Sequence, residues 1–245
     1  MIALAYKVHP YQWPVIGKEL SHVEKVQMQS AKDFFFKYYR PNNAVLVVAG
    51  NVKTDDIKVL AEKWFGEIPS GEAFTRNLPQ EPEQTEARLL EVKAEVPVDS
   101  IYIAYKMCER NHPDYYAIDL LRDILSTGDS SRLYHQLVKE RKLFSSVSAY
   151  TTETIDNGLL MVEAKLNKGV TMQEAQAAIE EVLQQVIDAQ VSEEELVKVK
   201  NKMESYLAFG ETNILNRAMN LAYFEMLGDA NGVNQEIAKY NAVSA

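Results

Sequence analysis

The polar stretch from Ser70 to Glu86, with Gly71, Pro79, Pro82 and four glutamates, most limits how this chain can fold. A segment of that composition has too little apolar surface to join a core, so the residues on either side must build separate cores. The expected organisation is a first domain over residues 1–72, a linker over 73–86 and a second domain over 87–245. With 245 residues, 47% of them hydrophobic, the chain has enough apolar material for two such cores.

Ahead of the linker, Ser21-His22-Val23-Glu24 has the form of a capping box and predicts a helix. Ala31, Phe34, Phe35 and Tyr38 follow at helical spacing, so that helix should bury one face, and Pro41-Asn42-Asn43 should end it. The run Ala44-Val45-Leu46-Val47-Val48-Ala49, closed by Gly50-Asn51, predicts a strand buried on both faces. Thr54 should cap a second helix with Asp55 and Asp56 in its first turn; Ile57, Leu60, Ala61 and Trp64 should line its buried side.

Beyond the linker, Leu90, Val92, Ala94 and Val96 alternate, and Ile101–Tyr105 makes a second strand-like run. His112-Pro113-Asp114 opens a helix through Leu120 and Leu125, and a shorter helix follows the turn at 126–130. Strands are expected over 143–151 and 159–166, joined at Asp156-Asn157-Gly158, where Asn-Gly tolerates positive φ. Thr171-x-x-Glu174 and Ser192-x-x-Glu195 predict helices of about 18 and of 30 or more residues, the second bending at Gly210 rather than stopping there.

The chain offers little catalytic chemistry. A helical zinc pair needs two ligands at i and i+4, but four residues beyond His9, His22, His112 and His135 stand Trp13, Val26, Tyr116 and Lys139. His22 and Glu24 read as a solvated first turn, and His9 and His112 as turn residues before proline. Ser130 and Ser131 near His135 read as a helix cap, and Gly128-Asp129-Ser130 lacks the glycines and lysine of a phosphate loop. Tyr38, Tyr39, Tyr102 and Tyr105 could contact an extended peptide but read first as core-margin residues. The lone Cys108 excludes an internal disulfide and a multi-thiolate zinc site. A formal charge of −9 without a basic cluster argues against nucleic acid, and no apolar run reaches membrane-spanning length.

Taken together, HPYQWPVIG at 9–17, FFFKYYRPNNAVLVVAGNV at 34–52 and WFGEIPSG at 64–71 resemble the later part of the catalytic-type domain of the pitrilysin/insulinase zinc metallopeptidases. These are the inverzincins, which include mitochondrial processing peptidase-like proteins. The segment AIDLLRDILSTGDSSRLYHQLVKERKLFSSVSAY at 117–150 resembles the homologous domain that follows. The resemblance implies an α+β fold of two related domains, each an antiparallel sheet with helices on one face. It implies that the first is incomplete, and truncation is expected of the second too, because the family continues past Tyr240–Ala245.

Members of that family hold zinc with an inverted H-x-x-E-H helix and a distal glutamate. By the resemblance, that helix corresponds to sequence before Met1 and the distal glutamate to sequence upstream of His9, so no catalytic, cofactor-binding or metal residue is assigned in this chain. Many noncatalytic halves carry an arginine and a tyrosine that hold substrate; at the matching places this chain has Val138 and Ser145. The implied whole is a zinc-dependent endopeptidase, cytoplasmic or periplasmic, in which this portion forms chamber wall and scaffold and is inactive alone. Zinc would belong to the intact parent, a missing N-terminal segment would hold it, and a partner half or subunit would supply the Arg/Tyr pair for a peptide substrate. Self-association of exposed inner faces would fit such a piece. The alternative is a noncatalytic member acting as an assembly or peptide-presenting subunit.

Overall fold

The computed structural model describes residues 1–245. In chain order it holds α1 (Ile2–Ala5), α2 (Leu20–Glu24), α3 (Met28–Tyr38), α4 (Thr54–Phe65), β1 (Ser100–Lys106), α5 (Tyr115–Ser126), a π-helical segment (Tyr134–Glu140), β2 (Phe144–Thr151) and β3 (Leu159–Leu166). Then come α6 (Met172–Ala189), α7 (Glu193–Gly210), α8 (Ile214–Met226) and α9 (Glu236–Ala242). Two compact units result: Met1–Glu91 with Thr212–Asn231, and Val92–Glu211 with Gly232–Ala245.

The first unit is helical. Its motifs are tied to one another by polar groups rather than by a large core. The Asn42 amide donates to the Gly71 carbonyl at 3.0 Å and accepts the Gly71 N–H at 2.9 Å, which fastens the Pro41–Asn43 turn to the stretch after α4. A side chain at Gly71 would have its Cβ 2.7 Å from Arg40 Cγ, so this close approach needs glycine. The Glu81 carboxylate accepts three consecutive N–H groups, from Lys7 at 2.7 Å, Val8 at 2.9 Å and His9 at 3.0 Å. Arg88 reaches the carbonyls of Leu4 and Ala5. The glutamate- and proline-rich stretch is therefore partly anchored.

Several local expectations fail in this unit. The run 44–49 forms no strand: Ala44 has extended backbone, yet Val45, Leu46 and Val48 are 40%, 60% and 43% exposed. An extended segment becomes a strand only when a neighbour takes its N–H and C=O groups, and the first unit contains no other strand. The alternating segment at 90–96, which runs from the end of the first unit into the second, likewise forms no strand, with Leu90, Val92 and Val96 exposed. The apolar faces expected to be buried on α3 and α4 also lie open, at Phe34, Phe35, Leu60 and Trp64. The capping box at Ser21 does not form, because α2 begins at Leu20 with Glu19 as its N-cap and leaves Ser21 inside the helix. Thr54 is the first residue of α4 rather than its cap.

The second unit has a well-packed core. Its antiparallel sheet has the order β1-β3-β2. The register sets Ile101 opposite Ala164, Ile103 opposite Val162, and Val147 and Ala149 opposite Ala164 and Val162. These residues share the face that packs on α6, where Ala175, Ala178, Ile179 and Val182 recur at helical spacing. Phe144 and Val147 are both buried although three residues apart, because a register shift between Phe144 and Ser146 inserts one extra residue into β2. A second core joins α5, α7 and α9 through Leu120, Ile124, Val199, Met203 and Tyr240.

Thr171 caps α6, and Ser192 with Glu195 forms a complete capping box on α7. The long helix expected from Ser192 stops at Gly210; Asn213 accepts the N–H groups of Leu215 and Asn216 and starts α8 as a new helix, placed by packing in the first unit. β2 and β3 do form a hairpin, but its positive φ falls on Glu153 (50°) and not on Asn157 or Gly158. Gly158 serves packing instead: an added Cβ would lie 2.7 Å from Thr154 Oγ1 and 2.8 Å from Thr152 Oγ1.

Candidate functional site

The histidines are dispersed. His9 is buried, its Nδ1 accepts the Tyr11 N–H at 3.2 Å, and its ring packs 4.3 Å from that of Tyr11. His22 is exposed on α2; His112 Nδ1 accepts the Asp114 N–H; exposed His135 lies 3.5 Å from Glu140. The Ser131 hydroxyl donates to the Gly128 carbonyl at 2.7 Å, and Ser130 accepts from Lys198. Burial, then the Asp114 charge, pushes the Cys108 thiol up, which keeps it protonated at neutral pH and a weak nucleophile. No three His, Cys, Asp or Glu side chains converge as ligands, so the donors present do not fit a zinc ion.

The buried charges of the second unit are mutually satisfied. Arg110 lies against the Tyr115 ring at 4.3 Å and the Tyr116 ring at 5.3 Å, and meets Glu236 Oε1 at 2.6 Å. Burial opposes its charge, but the Tyr116 hydrogen bond and the neighbouring Tyr115 and Glu236 hold the guanidinium pKa above its usual value. The Tyr240 hydroxyl donates to Asp119 at 2.7 Å; burial and then Asp119 push that phenol up, so it stays a donor. Asp119 also takes Arg122 at 2.6 Å, while Asp123 takes Lys202 at 3.1 Å and the Thr127 hydroxyl at 2.7 Å. With these partners internal to the chain, the network fastens α5 to α7 and α9.

One polar constellation does face solvent, on the side of the sheet away from α6. The register places Tyr102, Glu163 and Ser148 in one row across β1, β3 and β2. The Tyr102 hydroxyl donates to Glu163 at 3.2 Å, and Tyr150 stands one row further along β2 on the same face. Tyr102 and Tyr150 are 49% and 38% exposed. Glu163 is the main cause of the raised Tyr102 pKa, while burial and then Glu163 raise Tyr150. Both rings are therefore neutral at physiological pH and flank one carboxylate. Tyr105, on the opposite face by register, is raised by burial and then by Glu180. Tyr38 packs on Phe74, and Tyr39 stacks on Phe35. Sequence reasoning named Tyr102 but missed Glu163 and Tyr150, whose alternation assigns a face but not a row.

The two positions highlighted by the family resemblance differ in setting. Val138 packs against the sheet core, and the Ser145 hydroxyl donates to the Lys165 carbonyl at 3.3 Å beside the β2 irregularity.

These features define an α+β fold, with a three-stranded antiparallel sheet packed against helices. Residues 25–203 match the family model described as the peptidase M16 inactive domain. The chain belongs to that family, in agreement with its pitrilysin-type resemblance. It is 29% identical over 199 residues to zinc protease PqqE of Helicobacter pylori, covering 80% of this chain and 45% of that protein. To the zinc protease YmxG of Bacillus subtilis it is 26% identical over 240 residues, covering 98% and 57%. The structure of a Helicobacter pylori protease superposes with a TM-score of 0.86 at 24% identity over 98% of this chain and 58% of that one. A peptidase M16 inactive domain from Pseudomonas fluorescens gives 0.85 at 19% identity, over 98% and 56%. The chain thus spans about half the length of the curated relatives it matches. No helix is long and apolar enough to cross a membrane.

Proposed function

We propose that this chain is the substrate-chamber wall and scaffold of a zinc endopeptidase, with the zinc-binding helix carried on a separate segment of the whole protein. The observation that carries this reading is the contrast between the units. The second buries two hydrophobic cores, whereas the first leaves an unpaired apolar run at 44–48 and two apolar helical faces open. Apolar surface of this extent, with unpaired extended backbone, is what a further segment of the same domain would cover. Zinc in relatives' names and the share of their length spanned here support the same reading.

On this reading the linker near residues 73–86 separates the first domain from the second. A partner half or subunit supplies the arginine and tyrosine that Val138 and Ser145 cannot replace. Peptide hydrolysis then belongs to the assembled protein. The test is zinc stoichiometry and peptide turnover, measured on the 245-residue chain and on the same chain extended upstream through any in-frame H-x-x-E-H. The short chain should bind no stoichiometric zinc and turn over no peptide, while the extended one should do both. Chelator-sensitive cleavage by the short chain would refute the reading, and inactivity of the extended chain would favour a noncatalytic assembly subunit.

A further inference from the structure

We propose that the solvent-facing side of the second unit's sheet is a subsite for an arginine or lysine side chain of an extended peptide, with Glu163 as the anionic acceptor and Tyr102 and Tyr150 as its aromatic flanks. The inference rests on the chamber-wall reading and names the ligand chemistry of one wall. β1 is an edge strand, so an incoming peptide can add to it through main-chain hydrogen bonds and lay alternate side chains on this face beside Tyr102. Glu163 is the one carboxylate that the register places on this face, directly between Tyr102 and Ser148.

The remaining charges on the face are Lys165, one row toward Ser100, and Lys106, at the opposite end of β1. They confine the favourable spot for a cation to the Glu163 row and the Tyr150 side of it. The Tyr102 phenol donates to a single oxygen, Glu163 Oε1, which leaves acceptor capacity on the carboxylate for an incoming guanidinium or ammonium. Both tyrosine rings stay neutral and can present a π face to that cation. Ser146 and Ser148 complete a small, exposed polar floor beside it, and the open part of the face ends toward Met161 and Leu159, which share it but are buried.

The experiment uses the full 245-residue chain carrying a photo-crosslinking p-benzoylphenylalanine in place of Ser148. It is offered two blocked, labelled decapeptides that differ only in arginine or norleucine at the central position. The arginine peptide should crosslink about tenfold more efficiently, the range of one charge-assisted hydrogen bond. That preference should vanish in Glu163→Gln and fall severalfold in Tyr102→Leu, with the circular dichroism of both variants unchanged. Equal crosslinking of the two peptides would overturn the cation subsite while leaving the chamber-wall reading intact. Absence of crosslinking to either peptide would overturn both the subsite and a peptide-facing role for this wall.

Discussion

Removing the Arg132 side chain should weaken the second unit in a way that largely disappears in acid. Arg132 meets Glu195 through Nε at 2.7 Å and through its terminal nitrogen at 2.8 Å, and also donates to the Gln190 carbonyl at 3.1 Å. That single guanidinium holds the α6–α7 connection, where Gln190 sits at a positive φ of 58°. The Arg132 hydrogen bonds, with those from Ser192, bring the Glu195 carboxyl from its ordinary 4.5 down to about 2. A shift of that size corresponds to about 3 kcal/mol if wholly realised. Arg132 and Glu195 keep 16% and 23% of their side-chain surface in water, and screening reduces the expected cost of Arg132→Ala to about 1–2 kcal/mol at pH 7. A carboxylate with a depressed folded-state pKa stabilises above its unfolded-state value and loses that contribution as pH falls through the folded one. Wild type and variant should therefore differ fully at pH 7 and converge between about pH 5 and pH 2, with only the smaller, pH-independent loss of the Gln190 hydrogen bond left below that range. Urea unfolding should be followed by circular dichroism or by hydrogen exchange of α7, because both tryptophans, Trp13 and Trp64, lie in the first unit. A deficit that persists undiminished at pH 2, or none at pH 7, would refute this account.

Other perturbations follow from the same packing. Tyr240→Phe removes the donor to buried Asp119 and should cost about 1–2 kcal/mol, read as faster proteolysis of the segment after residue 232. Gly158→Ala should destabilise by about 1–3 kcal/mol, read as a lowered urea midpoint, because its methyl would press on the Thr152 and Thr154 hydroxyls. Leu46→Lys together with Phe35→Glu should reduce dye binding and self-association in sedimentation without changing the α7 exchange pattern, since both side chains are exposed in the first unit.

Legibility in the sequence followed where the restoring forces lie. The extents of β3 and α6, and the caps at Thr171 and Ser192, could be read because period-two and period-3.6 patterns coincided with local capping chemistry and a core that enforced them. The run at 44–49 has the same strand-forming composition but no hydrogen-bonding neighbour, and composition cannot supply one. The Asn157-Gly158 signal located the hairpin but not its positive φ, because threonine hydroxyls set that connection: Leu159 N–H donates to Thr152, and Thr154 donates to the Asp156 carbonyl. Gly210 read as a bend because its helix spacing continues on either side, yet the α8 start is fixed by the Asn213 cap. Of the candidate subsite, only Tyr102 was visible, since bringing Glu163 beside it requires the cross-strand register.

The distribution of buried charge bears on what the second unit contributes to a peptidase. A catalytic centre keeps a strong acid, base or nucleophile uncommitted and pointed at a cavity, whereas Arg110, Asp119, Asp123 and Glu236 are each committed to partners on α5, α7 or α9 or next to them. That commitment fixes α9 and α7 against α5, and the Ser126 hydroxyl at the end of α5 donates to the Ala149 carbonyl of β2, tying the same helix to the sheet. On the sheet's solvent-facing side the register places two neutral phenols, three serines, one carboxylate and two lysines, the set from which the proposed subsite is drawn. The proposed subsite needs rigidity of this kind, since a cation must find Glu163, Tyr102 and Tyr150 in one fixed arrangement.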